Sequence, residues 1–198
     1  MPTLHLASTN PHKLKEFARL FGSAFILTSV QHTSSSTQWL EDGSTFMDNS
    51  IKKAVFYSKL GSGLVLADDS GLCVAALGGE PGVHSARYAG PEASDAENRS
   101  LLLARLARVP EEAREATFIC ALALARDGKL LTTVEATCPG RITAFPGGSE
   151  GFGYDPIFVP SGATATFAQM PPAEKDRYSH RARAVAQLLP ILLTKRWG

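Results

Sequence analysis

"LVLADDSGLCV", Leu64 to Val74, sets two acidic residues against a buried apolar run. Residues 64–67 have the pattern of a core strand. The run then ends in adjacent carboxylates, Asp68 and Asp69, followed by Ser70-Gly71. Asp-Ser-Gly is a common turn. Neighbouring carboxylates also repel unless something neutralises them. The strand is therefore either entering an ordinary turn or presenting its charges to something positive.

Upstream, "TLHLAS" (3–8) alternates and is β-rich, which predicts a first strand. "PHKLKEFARLFG" (11–22) predicts a helix. Pro11 suits its first turn, Leu14, Phe17, Ala18 and Phe21 recur at helical spacing, and Gly22 is a stop signal. "FILTSV" (25–30) predicts a second strand, and "QHTSSSTQWLEDGS" (31–44) a polar loop whose Trp39 and Leu40 pack back on the fold. "TFMDNSIKKAVFYSKLG" (45–61) predicts a helix opened by Thr45 and Asp48 in capping-box spacing. Met47, Ile51 and Val55 would face the core, while Asn49 and Lys53, four apart, share a different face.

Downstream, a Gly/Pro-rich loop (77–94) leads to an amphipathic helix, "DAENRSLLLARLARV" (95–109). Two β-type runs follow, joined at Asp127-Gly128, a hairpin signal. A Gly-rich stretch (139–160) ends in a short strand, and "SHRARAVAQLLPILLTKRW" (179–197) is a closing helix expected to bend or end near Pro190. Strands and helices that alternate around a long hairpin predict an α/β fold with a mixed sheet flanked by helices. The 198 residues suit one domain, or one domain with two lobes.

At 44 % hydrophobic the chain can bury a core, and no apolar run reaches the roughly 20 residues needed to span a membrane. The N-terminal residues carry no secretory pattern. Three cysteines, none in a C-x-x-C pair, read as reduced thiols of a cytoplasmic protein. A net charge of +1 argues against a nucleic-acid-coating surface. It leaves room for a small anion held by a few focused cations.

Four segments carry candidate chemistry. In "ASTNPHK" a strand gives way to a polar turn and a helix N-terminus; Ser8, Thr9 and Asn10 cap that helix, or the free N–H groups and Lys13 receive a phosphate. Neither G-x-x-x-x-G-K-[ST] nor G-x-G-x-x-G occurs, which disfavours P-loop enzymes and Rossmann dehydrogenases. Asp68 and Asp69 suit a hard cation such as Mg²⁺, which takes one or two carboxylates, water and substrate phosphate oxygens. Glu41 and Asp42 are candidates to complete that site, or are surface loop acids. "GGSEGFGYDP" (147–156) offers Phe152 and exposed backbone to a flat ring, or is a Gly-rich turn with two core aromatics. "EKDRYSHRAR" (174–183) is a solvated charged face, or a helix start whose Lys175, His180 and Arg181 read carbonyls or phosphate.

Together, "ASTNPHK", "TFMDNSIKKA", "LADDSGLCV", "GVHSARYAG", "FGYDPIF" and "SHRARA" occur in the order and spacing of the inosine/xanthosine triphosphate pyrophosphatases, which nearly the whole chain resembles. Ser8-Thr9-Asn10 stands where that family usually has Thr-Gly-Asn, and Asp48-Asn49-Ser50 where it has Glu-Asn-Ala. The resemblance implies an elongated two-lobed domain with a central active-site cleft. It also implies a homodimer, Mg²⁺ dependence, and hydrolysis of ITP, dITP and XTP to monophosphate and pyrophosphate. By position, Ser8, Thr9, Asn10, Pro11, His12, Lys13 and Lys53 would hold the triphosphate. Glu41 and Asp69 would be the metal carboxylates, with Asp69 the proton acceptor. Ser70, Phe152, Gly153, Tyr154, Asp155, Lys175, His180 and Arg181 would contact the nucleotide. The expected setting is cytoplasmic, with no membrane and no stable nucleic-acid partner. A pyrophosphatase for another nucleotide and a non-catalytic nucleotide- or RNA-binding module are the competing readings.

Overall fold

The computed structural model describes residues 1–30, 42–61 and 63–194. Glu41, Trp39 and Leu40 lie outside the described residues. Six strands form one sheet of order β2-β1-β3-β4-β5-β6: β1 (Thr3–Leu6), β2 (Ile26–Ser29), β3 (Leu64–Val74), β4 (Glu115–Arg126), β5 (Lys129–Ile142) and β6 (Phe158–Pro160). β1 runs parallel to β2 and β3, and β5 antiparallel to β6, so the sheet is mixed. Helices are α1 (Pro11–Phe21), α2 (Phe46–Ser58), α3 (Asp95–Arg105), a short α4 (Pro172–Lys175) and α5 (His180–Thr194). Asp127 and Gly128 join β4 to β5 with φ of 51° and 75°, the left-handed pair that a two-residue hairpin needs.

The chain divides into two compact units. One comprises residues 1–69, 120–136 and 181–198, the other 70–119 and 137–180. In the first unit, strand alternation sorts side chains onto two faces. Leu4, Leu6, Leu64, Leu66, Leu122 and Leu124 pack with Phe17 and Phe21 of α1 and with Val185, Leu188 and Leu192 of α5. The opposite face is small: Ala7, Val65, Ala67, Ala123 and Ala125 meet Ala54 and Tyr57 of α2. In the second unit, Leu72, Val74, Leu102, Leu106, Phe118, Ile142, Phe158 and Phe167 form the core. Phe118 meets Phe158 edge-on at 4.6 Å between ring centroids.

Four expectations change. β3 does not stop at the carboxylates but continues to Val74, leaving Asp68 and Asp69 in mid-strand. On α1, Ala18 is exposed and Glu16 is buried in its place, because Glu16 has an ion-pair partner inside. On α2, Ile51 and Val55 do pack against the core but are only partly buried, and the buried positions include Asn49, Ser50, Lys53, Ala54 and Tyr57. Pro190 does not end the last helix, which runs on to Thr194. The three cysteines are free thiols, and among the described residues no helix is long and apolar enough to cross a membrane.

Candidate active site

Because Asp68 follows Leu64 and Leu66 in register, its side chain lies on the face covered by α1 and α5. Asp69 follows Val65 and Ala67 and lies on the α2 face. The two acids are one peptide bond apart and meet different surroundings.

Asp68 is 1 % exposed. Lys13 Nζ lies 2.7 Å from its Oδ2, Arg181 Nε 4.0 Å from the same atom, and the Cys120 thiol donates to Oδ1 at 3.3 Å. Burial alone would raise its pKa. The charges of Lys13 and Arg181, with hydrogen bonds from Lys13 and Cys120, outweigh that and hold the carboxyl well below the usual carboxylate range. Burial first, and then Asp68 itself, push the Cys120 thiol up. Arg181 Nη1 also pairs with Glu16 Oε2 at 3.2 Å. Two acids and two bases thus form a buried cluster of zero net charge.

Asp69 instead accepts from Asn49 Nδ2 at 3.0 Å. Asn49 is a neutral amide, so this bond orients the carboxylate and leaves its charge in place. The amide is itself set from behind, since Gly43 N–H donates to Asn49 Oδ1 at 2.8 Å, and a Cβ at Gly43 would collide with that oxygen. One turn along α2, buried Lys53 donates to the Asp68 carbonyl at 3.4 Å.

At the start of α1, Asn10 Oδ1 accepts from the N–H groups of His12 and Lys13 at 2.9 and 3.2 Å, and Ser8 Oγ accepts from Asn10 N–H at 3.2 Å. Capping is therefore real here, and it fixes the shape of the 8–13 turn. Thr9, Pro11 and His12 are exposed. Asp127 is the only non-glycine with positive φ among the described residues, so the Thr9 backbone is in a conformation that needs no glycine. Asp48 is also harmless as a shorter acid. It is exposed, accepts from Ser44 Oγ, and caps through its own N–H to Thr45, away from the face that carries Asn49.

The metal expectation can be judged by donor chemistry. Asp69 fits a hard cation as a carboxylate oxygen ligand that the Asn49 amide orients. Asp68 does not fit, since Lys13 and Arg181 already compensate it. Asp42 is an exposed partner of Lys52 at 2.8 Å, and Glu41 lies outside the described residues. Among the described residues no three His, Cys, Asp or Glu side chains cluster.

In the second unit, the 152–155 loop forms a tight turn. Asp155 Oδ2 accepts from Phe152 N–H at 3.0 Å and from Lys175 Nζ at 2.8 Å, both charges being buried. A Cβ at Gly151 (φ +75°) would strike that carboxylate. The Lys175 ammonium lies 5.5 Å from the Phe152 ring centroid and 5.3 Å from that of Phe167, within cation–π range. Tyr154 is a core residue whose hydroxyl donates to the Ser85 carbonyl at 2.8 Å. His180 stacks face to face on Phe118 at 4.6 Å and 4°. Ser70 is half-buried on β3.

The structure therefore joins Lys13, Lys53 and Arg181 to the acids in one unit, and Phe152, Asp155 and Lys175 to one another in the other. The solvated-face reading of residues 174–183 holds for Glu174, Arg177 and Arg183, which are exposed, and fails for Lys175, His180 and Arg181, which are buried. Sequence reading missed Glu16 and the role of Asn49. A polar residue one turn before Lys53 on an otherwise amphipathic helix was the available signal for Asn49; a lone Glu in a charged helix gave none for Glu16.

Comparison with known proteins agrees over the full length. The Ham1 family model matches residues 4–191. The chain is 46 % identical over 189 residues to the dITP/XTP pyrophosphatase of Geobacillus kaustophilus, covering 95 % of this chain and 93 % of that protein. It is 48 % identical over 194 residues to the dITP/XTP pyrophosphatase of Mycobacterium bovis, covering 96 % and 94 %. The structure of a HAM1 protein from Coxiella burnetii superposes with a TM-score of 0.86 at 38 % identity, covering 98 % of this chain and 100 % of that one. With the mixed sheet and the paired acids of β3 already in view, these matches establish that the chain belongs to the Ham1 family.

Proposed function

We propose that this protein hydrolyses non-canonical purine nucleoside triphosphates (ITP, dITP and XTP) to the monophosphate and pyrophosphate, clearing them from the nucleotide pool. The observation that carries this reading is the setting of Asp69: the Asn49 amide orients its carboxylate on the α2 face of β3, where Lys53 follows one turn along the helix, opposite the Asp68–Lys13–Arg181 cluster. The similarity to dITP/XTP pyrophosphatases supports the substrate class.

The first unit supplies the phosphate-handling groups. A triphosphate carries about four negative charges, and Lys13 and Lys53 are cations held in fixed positions. An ammonium has three donors. Asp68 takes one from Lys13 and fixes the side chain, so Lys13 can still donate to a phosphate oxygen. The 8–13 turn, ordered by Ser8 and Asn10, adds the positive end of α1. Asp69, with Glu41, would hold Mg²⁺, which when bound screens the phosphate oxygens and makes a coordinated water more acidic. Asp69 accepts the proton of the attacking water as the α-phosphorus bond to pyrophosphate breaks. Positioning and charge stabilisation do most of the work in such reactions.

The second unit supplies the base-reading groups. Lys175 is locked by Asp155 beside the Phe152 ring and would donate to the C6 carbonyl of hypoxanthine or xanthine. Adenine presents an amino group there, so donor would face donor. Mismatches of this kind discriminate by up to ~10⁴-fold. The reading includes a homodimer in a cytoplasmic setting, checked by light scattering and by cell fractionation.

The test is pyrophosphate release from a panel of nucleotides with Mg²⁺, comparing wild type with Asp69→Asn. Release from dITP and XTP about a hundredfold above ATP and GTP, lost in the variant, is the expected result. Tight nucleotide binding without release would favour the binding-module reading instead.

A further inference from the structure

α3 opens with Asp95 and Arg99, four apart and so on the same face of the helix. At that spacing an acid and a base ordinarily pair with each other. Here both are turned to the backbone of one residue of the 152–155 loop, Gly153, and hold the two peptide groups that flank its Cα. Asp95 Oδ2 accepts from Gly153 N–H at 2.7 Å, and Arg99 Nη1 donates to the Gly153 carbonyl at 2.6 Å. Both bonds are charge-assisted and short. Gly153 sits at φ +60°, a conformation its own backbone does not prefer over others, so the loop shape needs outside support. Inside the loop the Phe152 N–H is taken by Asp155, and the Asp155 N–H returns to the Phe152 carbonyl at 3.2 Å. Most of the loop's backbone is thus committed within the protein, and what remains to present is the Phe152 ring beside Lys175.

We propose that Asp95 and Arg99 are positioning residues, a two-sided clamp on the Gly153 backbone that sets the angle of the Phe152 ring and the Lys175–Asp155 pair for the purine base. This rests on the reading that the second unit contacts the base. Neither residue touches a reacting atom in this scheme. Their removal therefore weakens substrate binding and base discrimination rather than the chemical step.

The test uses the full-length protein with Asp95→Ala and Arg99→Ala, and with Asp95→Asn and Arg99→Lys, which keep an acceptor and a donor. Two readouts are taken. Hydrogen–deuterium exchange of peptides covering 151–155 needs no nucleotide and should quicken about tenfold in the alanine variants. Steady-state kinetics should show KM for dITP up about tenfold, kcat little changed, and preference for dITP over dATP reduced. The conservative variants should recover most of both effects. Exchange and KM within about twofold of wild type in both alanine variants would overturn the clamp. If wild type releases no pyrophosphate from dITP, the functional reading fails, and the exchange result still decides whether the clamp exists. Should Arg99→Ala not fold, the Asp95 pair decides, because Asp95 is exposed and its loss costs α3 only a first-turn acid.

Discussion

The two faces of β3 handle the same side chain in opposite ways. Toward α1 and α5, Asp68 is shut away from water, pinned by two cations and a thiol, and tied through Arg181 to Glu16. Toward α2, Asp69 meets a neutral amide that is itself held by Gly43. The Asp68 cluster ties α1 and α5 to the sheet and serves the fold; the Asn49 bond aims the Asp69 carboxylate. Chemistry at this site follows from which side of the sheet a residue faces, and adjacent identical residues can have separate duties.

The sharpest way to break this comparison is to neutralise each acid in turn. Asp69→Asn keeps the shape and removes the charge. We expect kcat/KM for dITP to fall by about 10²–10⁴-fold, the range for removing a proton acceptor, with the unfolding midpoint nearly unchanged. Asp68→Asn should do the reverse first: it leaves Lys13 and Arg181 buried against a neutral group, and breaking such a cluster costs about 3–5 kcal/mol. Urea unfolding at pH 7 measures it. If Asp68→Asn proves as stable as wild type, the division of labour between the faces is wrong.

Acid titration refines the same point. The folded pKa of Asp68 lies below its unfolded value, so its stabilisation is fully present above the unfolded pKa of about 4 and is lost as pH falls through the folded value. Wild type should therefore lose stability steadily below about pH 4, and Asp68→Asn should show a flatter acid limb in the same window. Parallel acid limbs would assign the pH dependence to other groups.

How much of this the sequence discloses depends on range. The continuous apolar run of residues 64–67 foretells a strand buried on both faces, and Asp127-Gly128 foretells the hairpin; both are local patterns read from contiguous residues. The partners of Asp68 are not local. Cys120 is 52 residues away, and the Arg181–Glu16 pair that completes the cluster spans 165. No short window links them, so Glu16 reads as one more surface charge. α2 misleads for a related reason. Apolar spacing points Met47, Ile51 and Val55 inward, but the face of the sheet it covers is small and carries Asp69, so the polar edge with Asn49 and Lys53 turns in and finds its partners there. Asp95 and Arg99 look like an ordinary helical pair until the 152–155 loop is seen between them.

On the α2 face the comparison sharpens with Asn49→Ala. The change removes one hydrogen bond to a charged group, worth about 1.5–3 kcal/mol. If Asn49 serves mainly to aim Asp69, the loss should appear as a roughly 10- to 100-fold drop in kcat/KM for dITP. Glu at Asn49 should be worse than Ala, because it places a second acid against Asp69. An Asn49→Ala variant of full activity would mean that Asp69 is aimed by other groups.

The smallest effect belongs to the other face, where α1 begins. Asn10 caps that helix with one oxygen on two N–H groups, and Lys13, the main partner of Asp68, sits in the same turn. Asn10→Ala removes the cap and should lower stability by about 1 kcal/mol in urea titration. Asn10→Gly should cost only a few tenths of that unit, since glycine is itself a fair N-cap. Comparing the two separates capping from substrate contact. Glycine restores the helix start but not the side-chain oxygen, so if both variants raise KM for dITP alike while only Ala loses stability, Asn10 serves the nucleotide directly. If KM follows stability instead, Asn10 acts by holding Lys13 where Asp68 can grip it.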